Sequence, residues 1–336
     1  MSEHFLLSRL ARDLPVTKVI RMSEDTAYNW FRRARWPETK GEPSCPHCGV
    51  LKCYVLTRRR FKCSGCRKEF TVTSGTIFAS RKLPFRQILA IIALSANGAK
   101  GKAALELCRE IGVQYKTAWT NLMKLREALA ARRDETVLEG EVEIDGLYAL
   151  GHVRPKNRKE ERVDRRLPEN QSPDRVVVMA IRERREGGKS ISRITRGENA
   201  DCAWDMVRKH VAPDAHIFAD EHAAYDELVG LCELTRVNHQ VAYQHGKGVS
   251  TNQIESFFAR VRRAYRGVHH RFSVKYLDWY IAELSWREDR SRLGNRGQTV
   301  EMLARALAHP TSWNLCGYWQ GNKPPDLVWE PSVRAA

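Results

Sequence analysis

The chain has 336 residues, 42% of them hydrophobic, and carries 57 Lys and Arg against 40 Asp and Glu, for a formal net charge of +17. This length accommodates two or three domains with real cores, and the charge argues against an ordinary small-molecule enzyme and toward a polyanionic partner. The longest apolar run, Ile88 to Ala96, is too short to span a bilayer, and Met1 to Pro15 lacks the apolar centre of a secretory leader; a cytoplasmic protein with reduced thiols and no membrane partner is expected.

In chain order, residues 1–40 read as an amphipathic helical segment, with Ser23 capping a helix through Trp30, Phe31 and Trp36. Gly41-Glu42-Pro43 breaks it, and residues 41–80 hold Cys45-x₂-Cys48 and Cys63-x₂-Cys66 around a short hairpin with Arg58-Arg59-Arg60 near its tip. Two tight turns, each presenting two thiolates, make the soft tetrahedral set that structural zinc prefers, so a zinc ribbon is expected. His47 could stand in for one ligand, but four cysteines already complete the set. Cys53, Cys108, Cys202, Cys232 and Cys316 show no pairing pattern and read as buried bystanders.

Residues 83–133 read as all-helical. Pro84 opens a first helix, Lys102 to Glu110 forms a second, and Ile111-Gly112-Val113 turns into a third from Gln114 to about Arg132. This is the pattern of a helix-turn-helix, and Gln114, Lys116, Thr117, Asn121 and Lys124 are the side chains it would aim at DNA. Plain three-helix packing gives the same periodicity.

From residue 138 to 290 strands alternate with helices, so a mixed sheet in an α/β domain is expected. Strands are predicted at Val142 to Leu150, Arg175 to Arg182, Ser190 to Thr195, His216 to Asp220 and Glu233 to His239. Helices are predicted at Ala200 to His210 behind Asn199, at Ala223 to Leu228, and from Asn252 onward. The basic block Gly151 to Asp174 reads equally as a solvated loop or a DNA-contacting arm. Residues 291–336 form a C-terminal tail with a helix at Thr299 to Ala308 and an aromatic patch at Trp313 to Trp319. The whole is a multidomain α+β protein.

Three acids fall where an α/β site would place them. Asp145 lies mid-strand, Asp220 at a strand's carboxyl edge, and Glu255 in the first turn of the last helix, followed along one face by Arg262 and Arg266. Each also has a structural explanation: an arginine partner for Asp145, a helix cap for Asp220, a capping arrangement with Asn252 for Glu255.

These pieces resemble the zinc-ribbon insertion-sequence transposases of bacteria, whose catalytic domain is ribonuclease-H-like with an acidic DDE triad. The likeness is carried by the ribbon, Phe70-Thr71-Val72-Thr73-Ser74-Gly75-Thr76-Ile77-Phe78, Glu110-Ile111-Gly112-Val113, Val142-Glu143-Ile144-Asp145-Gly146, Ala219-Asp220 and Thr251-Asn252-Gln253-Ile254-Glu255-Ser256-Phe257-Phe258. It implies that Asp145, Asp220 and Glu255 hold two Mg²⁺ ions, with Asp145 bridging, for cleavage at element ends and direct strand transfer. It further implies structural zinc at Cys45, Cys48, Cys63 and Cys66, double-stranded DNA as element end and as target, and at least a dimer at synapsis on the bacterial nucleoid. Departures are Glu221-His222 after Asp220, and a basic residue beyond the glutamate that either Arg262 or His270 could supply. The rival expectations are a DNA-binding regulator with a silent catalytic domain, and a nuclease that cleaves without joining.

Overall fold

The computed structural model describes residues 5–150, 155–164, 167–237, 251–315, 321 and 328–330. The chain divides into two compact units, one of residues 1–131 with 290–324, the other of 132–289 with 325–336.

The first unit is helical around a small sheet. Helices α1 (Val16–Ile20) and α2 (Glu24–Arg35) lead to strands β1 (Cys53–Leu56), β2 (Arg60–Cys63) and β3 (Glu69–Phe70), an antiparallel meander in that order. Ser23 caps α2 as expected, its hydroxyl accepting the Thr26 N–H. Trp36, Phe61 and Phe70 pack edge to face behind the hairpin, giving these few strands the apolar backing that a hairpin needs.

Helices α3 (Phe85–Asn97), α4 (Ala104–Ile111) and α5 (Tyr115–Ala130) follow. Pro84 sits one residue before α3, and the Glu24 carboxylate supplies the cap by accepting the N–H groups of Phe85 and Arg86 at 2.7 and 3.0 Å. Gly112 adopts φ 69° between α4 and α5, a left-handed turn that a β-carbon would strain. The predicted tail helix is α9 (Asn295–Ala308), four residues longer at its start. It packs on α2, α3 and α5 through Met302, Leu303, Ala306 and Leu307.

The second unit is a five-stranded sheet in the order β6-β5-β4-β7-β8. These strands are β4 (Glu141–Ala149), β5 (Val176–Glu183), β6 (Ser190–Thr195), β7 (His216–Ala219) and β8 (Glu233–Arg236). The first three are antiparallel neighbours, and β7 and β8 add in parallel to β4, so the sheet is mixed as expected. One face packs on α6 (Ala200–His210) through Val142, Ile144, Met179 and Ile217. The other packs on α7 (Asn252–Ala264) and α8 (Val274–Asp289) through Leu147, Val178, Ala180 and Phe257. The alternation along β4 sends odd-numbered residues, Asp145 among them, toward α7.

Three local readings need correction. The segment Ala223–Gly230 is a 3-10 helix rather than an α-helix. The last helix breaks at Ala264 into a π turn, Tyr265–His269, which moves Arg266 off the α-helical row that would align it with Arg262. Of the extra cysteines, Cys202 is buried while Cys53, Cys108 and Cys232 are partly exposed. Cys316, Trp319, residues 238–239 of the last predicted strand and residues 151–154 and 165–166 of the basic block lie outside the described residues.

Candidate zinc and acid sites

Cys45, Cys48, Cys63 and Cys66 place their sulfurs within 4.8 Å of one another, and among the described residues no other set of three or more His, Cys, Asp or Glu side chains draws in so closely. Two sulfur pairs, Cys45–Cys66 and Cys48–Cys63, are 3.6 and 3.5 Å apart. Zinc–sulfur bonds of about 2.3 Å in a tetrahedron require sulfur separations of about 3.8 Å, so these residues fit the ion. All four are free thiols. Burial opposes ionisation of Cys63, but the backbone N–H groups of Cys66 and Gly65 point at its sulfur and bring the thiol down to about 7. A ligand that is easily deprotonated favours metal uptake. His47 is exposed and plays no part in the cluster.

The acid site is assembled from the sheet. The β4–β7 register pairs Ile144 with Ala219, so Asp145, midway along β4, and Asp220, just past the carboxyl end of β7, stand side by side one residue further on. Asp220 Oδ1 accepts the His222 N–H at 3.0 Å, and it is His222, not Asp220, that caps the following 3-10 helix. Among the described residues no arginine or lysine pairs with Asp145, whose carboxylate accepts only the adjacent Gly146 N–H. Glu255 approaches from the first turn of α7, with the Thr251 hydroxyl 3.5 Å from its Oε1.

Burial, followed by the negative charges of Asp220, Glu198 and Glu255, pushes the Asp145 carboxyl up to about 7. The three expected acids are therefore within electrostatic reach of one another. The hard oxygen donors of such a group suit Mg²⁺ rather than a soft metal.

Two acids escaped the sequence reading. Glu198, just before the α6 cap Asn199, lays its carboxylate against Gly146; a β-carbon there would come within 2.6 Å of it, so the close approach needs glycine. Its Oε1 accepts the buried Tyr225 hydroxyl at 2.5 Å, and Tyr148 also bonds to it. Glu143, fully buried two residues before Asp145, accepts the Ile254 N–H at 2.8 Å. Burial raises its carboxyl too, against the pull of that N–H and of Arg184. No motif distinguishes Glu198 in the sequence, and Glu143 stands in the motif Val142-Glu143-Ile144-Asp145-Gly146 only as a neighbour of Asp145.

Beyond Asp145 the end of β4 opens into a groove of about 1010 Å³. Its lining includes Arg262, Arg266, His270, Arg271 and Lys275 with a single acid, Asp174. Arg262, Arg266, His270 and Arg271 are exposed, which suits contact with phosphate oxygens.

In the helical unit, Gln114, Tyr115 and Lys116 are exposed at the start of α5, while Thr117, Asn121 and Lys124 are partly covered. The Asn121 amide donates to the Thr117 carbonyl at 2.8 Å, and burial lowers the Lys124 ammonium. The start of the helix is thus its most available part. Among the described residues no helix is long and apolar enough to cross a membrane.

Two family profiles match. Residues 137–289 match the ISXO2-like transposase domain, a DDE-type domain, and residues 22–69 match the transposase zinc-ribbon domain. No curated protein matches the chain. The two matches fall on the sheet unit that carries Asp145, Asp220 and Glu255 and on the segment that carries the four thiols. The chain belongs to the insertion-sequence transposases with an N-terminal zinc ribbon.

Proposed function

We propose that this transposase binds the ends of its own element and catalyses both phosphodiester cleavage there and transfer of the freed 3′-hydroxyl into target DNA. The observation that carries the reading is the register of β4 and β7, which sets Asp145 beside Asp220 on the face that α7 brings Glu255 toward. The strand order, with three antiparallel strands followed by two parallel ones, supports a ribonuclease-H-like fold for residues 138–290.

In this reading Asp145, Asp220 and Glu255 would hold two Mg²⁺ ions. The ions, when bound, activate the attacking oxygen and stabilise the leaving one. The remaining tasks fall to the chain itself. Asp220 is fixed by the His222 N–H, Gly146 leaves room for the Glu198 carboxylate, and Arg262 and Arg266 grip the phosphates on either side of the scissile bond. Zinc is structural only, because four thiolates leave no open position for water.

End recognition falls to the ribbon and to α4 and α5, read as a helix-turn-helix that presents Gln114, Lys116 and Thr117 to the major groove with Asn121 and Lys124 behind them. Synapsis of two ends calls for at least a dimer.

The test is a cleavage and joining assay on duplexes bearing the element ends, with Mg²⁺. Wild type should nick the ends and join them to target, and Asp145→Ala, Asp220→Ala and Glu255→Ala should each do neither. Joining by any of the three variants at the wild-type rate would overturn the catalytic assignment. Nicking without joining by wild type would make the protein a nuclease, and end binding without nicking would make it a regulator.

A further inference from the structure

We infer that Glu143 is a positioning residue of the acid site, a buried carboxylate that binds the three segments carrying Asp145, Asp220 and Glu255 into one body. The inference rests on reading those acids as metal ligands.

Glu143 lies on β4 two residues before Asp145, on the same face of the sheet and fully buried. Its Oε2 accepts the Ile254 N–H at 2.8 Å, and its carboxylate also receives the Gln253 N–H. These are the second and third residues of α7, and Glu255 is the fourth. The helix therefore begins on a cap lent by the strand, while its own cap residue, Thr251, makes no side-chain cap bond. A local Ser, Thr or Asn cap would end the helix equally well without fixing where it sits on the sheet.

The other side of the carboxylate reaches β7. Arg184 Nε lies 3.2 Å from Glu143 Oε1, and the Arg184 guanidinium covers the Phe218 ring at 4.1 Å. Phe218 is the register partner of Glu143 and stands two residues before Asp220. Arg184 is itself held by Glu141, through its backbone N–H at 2.9 Å and its guanidinium at 3.3 Å. Glu143 thus touches α7 directly and β7 through Arg184, each within two residues of an acid. Burying a charge in a sheet is unfavourable unless it is paired and hydrogen-bonded, and Glu143 Oε1, among the described residues, has the Arg184 ion pair but no hydrogen bond. The arrangement makes sense if its return is a fixed spacing between strand and helix acids, since small misplacements of reacting groups lower rates sharply.

The test uses the full chain with Glu143→Gln and Arg184→Met, and Asp145→Ala as the control. The readouts are the Mg²⁺ concentration for half-maximal end cleavage, Mn²⁺ affinity by calorimetry, affinity for end DNA, and the melting temperature. Glu143→Gln keeps one acceptor for the helix but loses the charge that holds Arg184. It should need about tenfold more Mg²⁺ and bind Mn²⁺ about tenfold more weakly, with unchanged DNA affinity and with cleavage largely restored at high metal. Arg184→Met should shift the same way by a smaller factor, and it carries the test if Glu143→Gln does not fold. A lowered melting temperature with wild-type metal dependence in both variants would overturn the inference and leave Glu143 a stabilising residue only. Equal Mn²⁺ binding by Asp145→Ala and wild type would instead overturn the reading of the acids themselves.

Discussion

The four ribbon sulfurs lie within 4.8 Å of one another, whereas among the described residues no set of three or more carboxylates draws in to that spacing. The sulfurs come from two turns spanning 45–66, and backbone N–H groups already favour the thiolate at Cys63. The acids come from two strands and a helix, and burial, then the charges of the neighbouring acids, holds the Asp145 carboxyl up at about 7. One site is organised to close on its ion and stay closed. The other keeps its carboxylates further apart; on the proposed reading, they would close only around ions that also meet a phosphate. The difference teaches that the four thiols are drawn together by two local turns, with Cys63 eased toward the thiolate and Cys66 pushed up to about 11, whereas the acids are brought near one another only by the sheet and α7.

The sharpest way to break this contrast is to remove a ligand from each site. Asp145→Ala should abolish end cleavage, by at least about a thousandfold, while leaving the melting temperature of the ion-free protein unchanged or higher. Cys63→Ser should do the reverse. The zinc content should fall, and the ribbon should unfold on losing much of the roughly 10–16 kcal/mol that structural zinc contributes in small domains, as read by metal analysis and circular dichroism. If Asp145→Ala lowers stability as much as Cys63→Ser does, the acid is structural and the contrast fails.

A third test sharpens the electrostatics. The folded Asp145 carboxyl titrates at about 7, above its unfolded value of roughly 4. The folded state therefore binds the extra proton, and ion-free protein should lose stability as pH rises from about 4 to 7, by a few kcal/mol at most. Asp145→Asn should flatten that part of the profile in denaturant titrations, and added Mg²⁺ should offset the loss. A wild-type profile indifferent to Asp145→Asn would remove the charge deficit from the account.

Smaller effects are expected at the DNA contacts. Arg262→Ala and Arg266→Ala should each weaken end binding and reduce the slope of log affinity against log salt by about one. Lys116→Ala should cost only a few-fold in affinity; a loss equal to that of Arg262→Ala would point to a larger share for the start of α5.

How far the sequence was legible follows from how far apart the partners lie. The ribbon's two cysteine pairs and hairpin could be read because they sit within a few dozen residues, whereas its third strand, Glu69–Phe70, and the backing by Trp36 could not. Asp145, Asp220 and Glu255 could be singled out as residue types at telling positions: an acid in mid-strand, an acid at a strand end and an acid in a helix's first turn. Glu198 could not, since the sequence shows only an acid before the cap Asn199, and its neighbour Gly146 is 52 positions away. Glu143 stood in view within the strand, but its partner Ile254 is 111 residues off. The π turn at Tyr265–His269 was hidden because periodicity assumes an unbroken α-helix. The packing of α9 was hidden for a related reason, since an amphipathic pattern states that a face is covered and not by what.

That last helix has a consequence for how the protein is made. Asn295 exchanges two hydrogen bonds with Leu14, at 2.7 and 2.9 Å, and α9 fills the space beside α2, α3 and α5. During translation those early helices leave the ribosome long before their final partner, with residues 132–289 emerging in between. At about 5–20 residues per second the wait is on the order of ten to thirty seconds. A nascent chain cut short anywhere in that interval holds an unfinished helical core, so the first unit can be completed only once residues 132–289 have been synthesised.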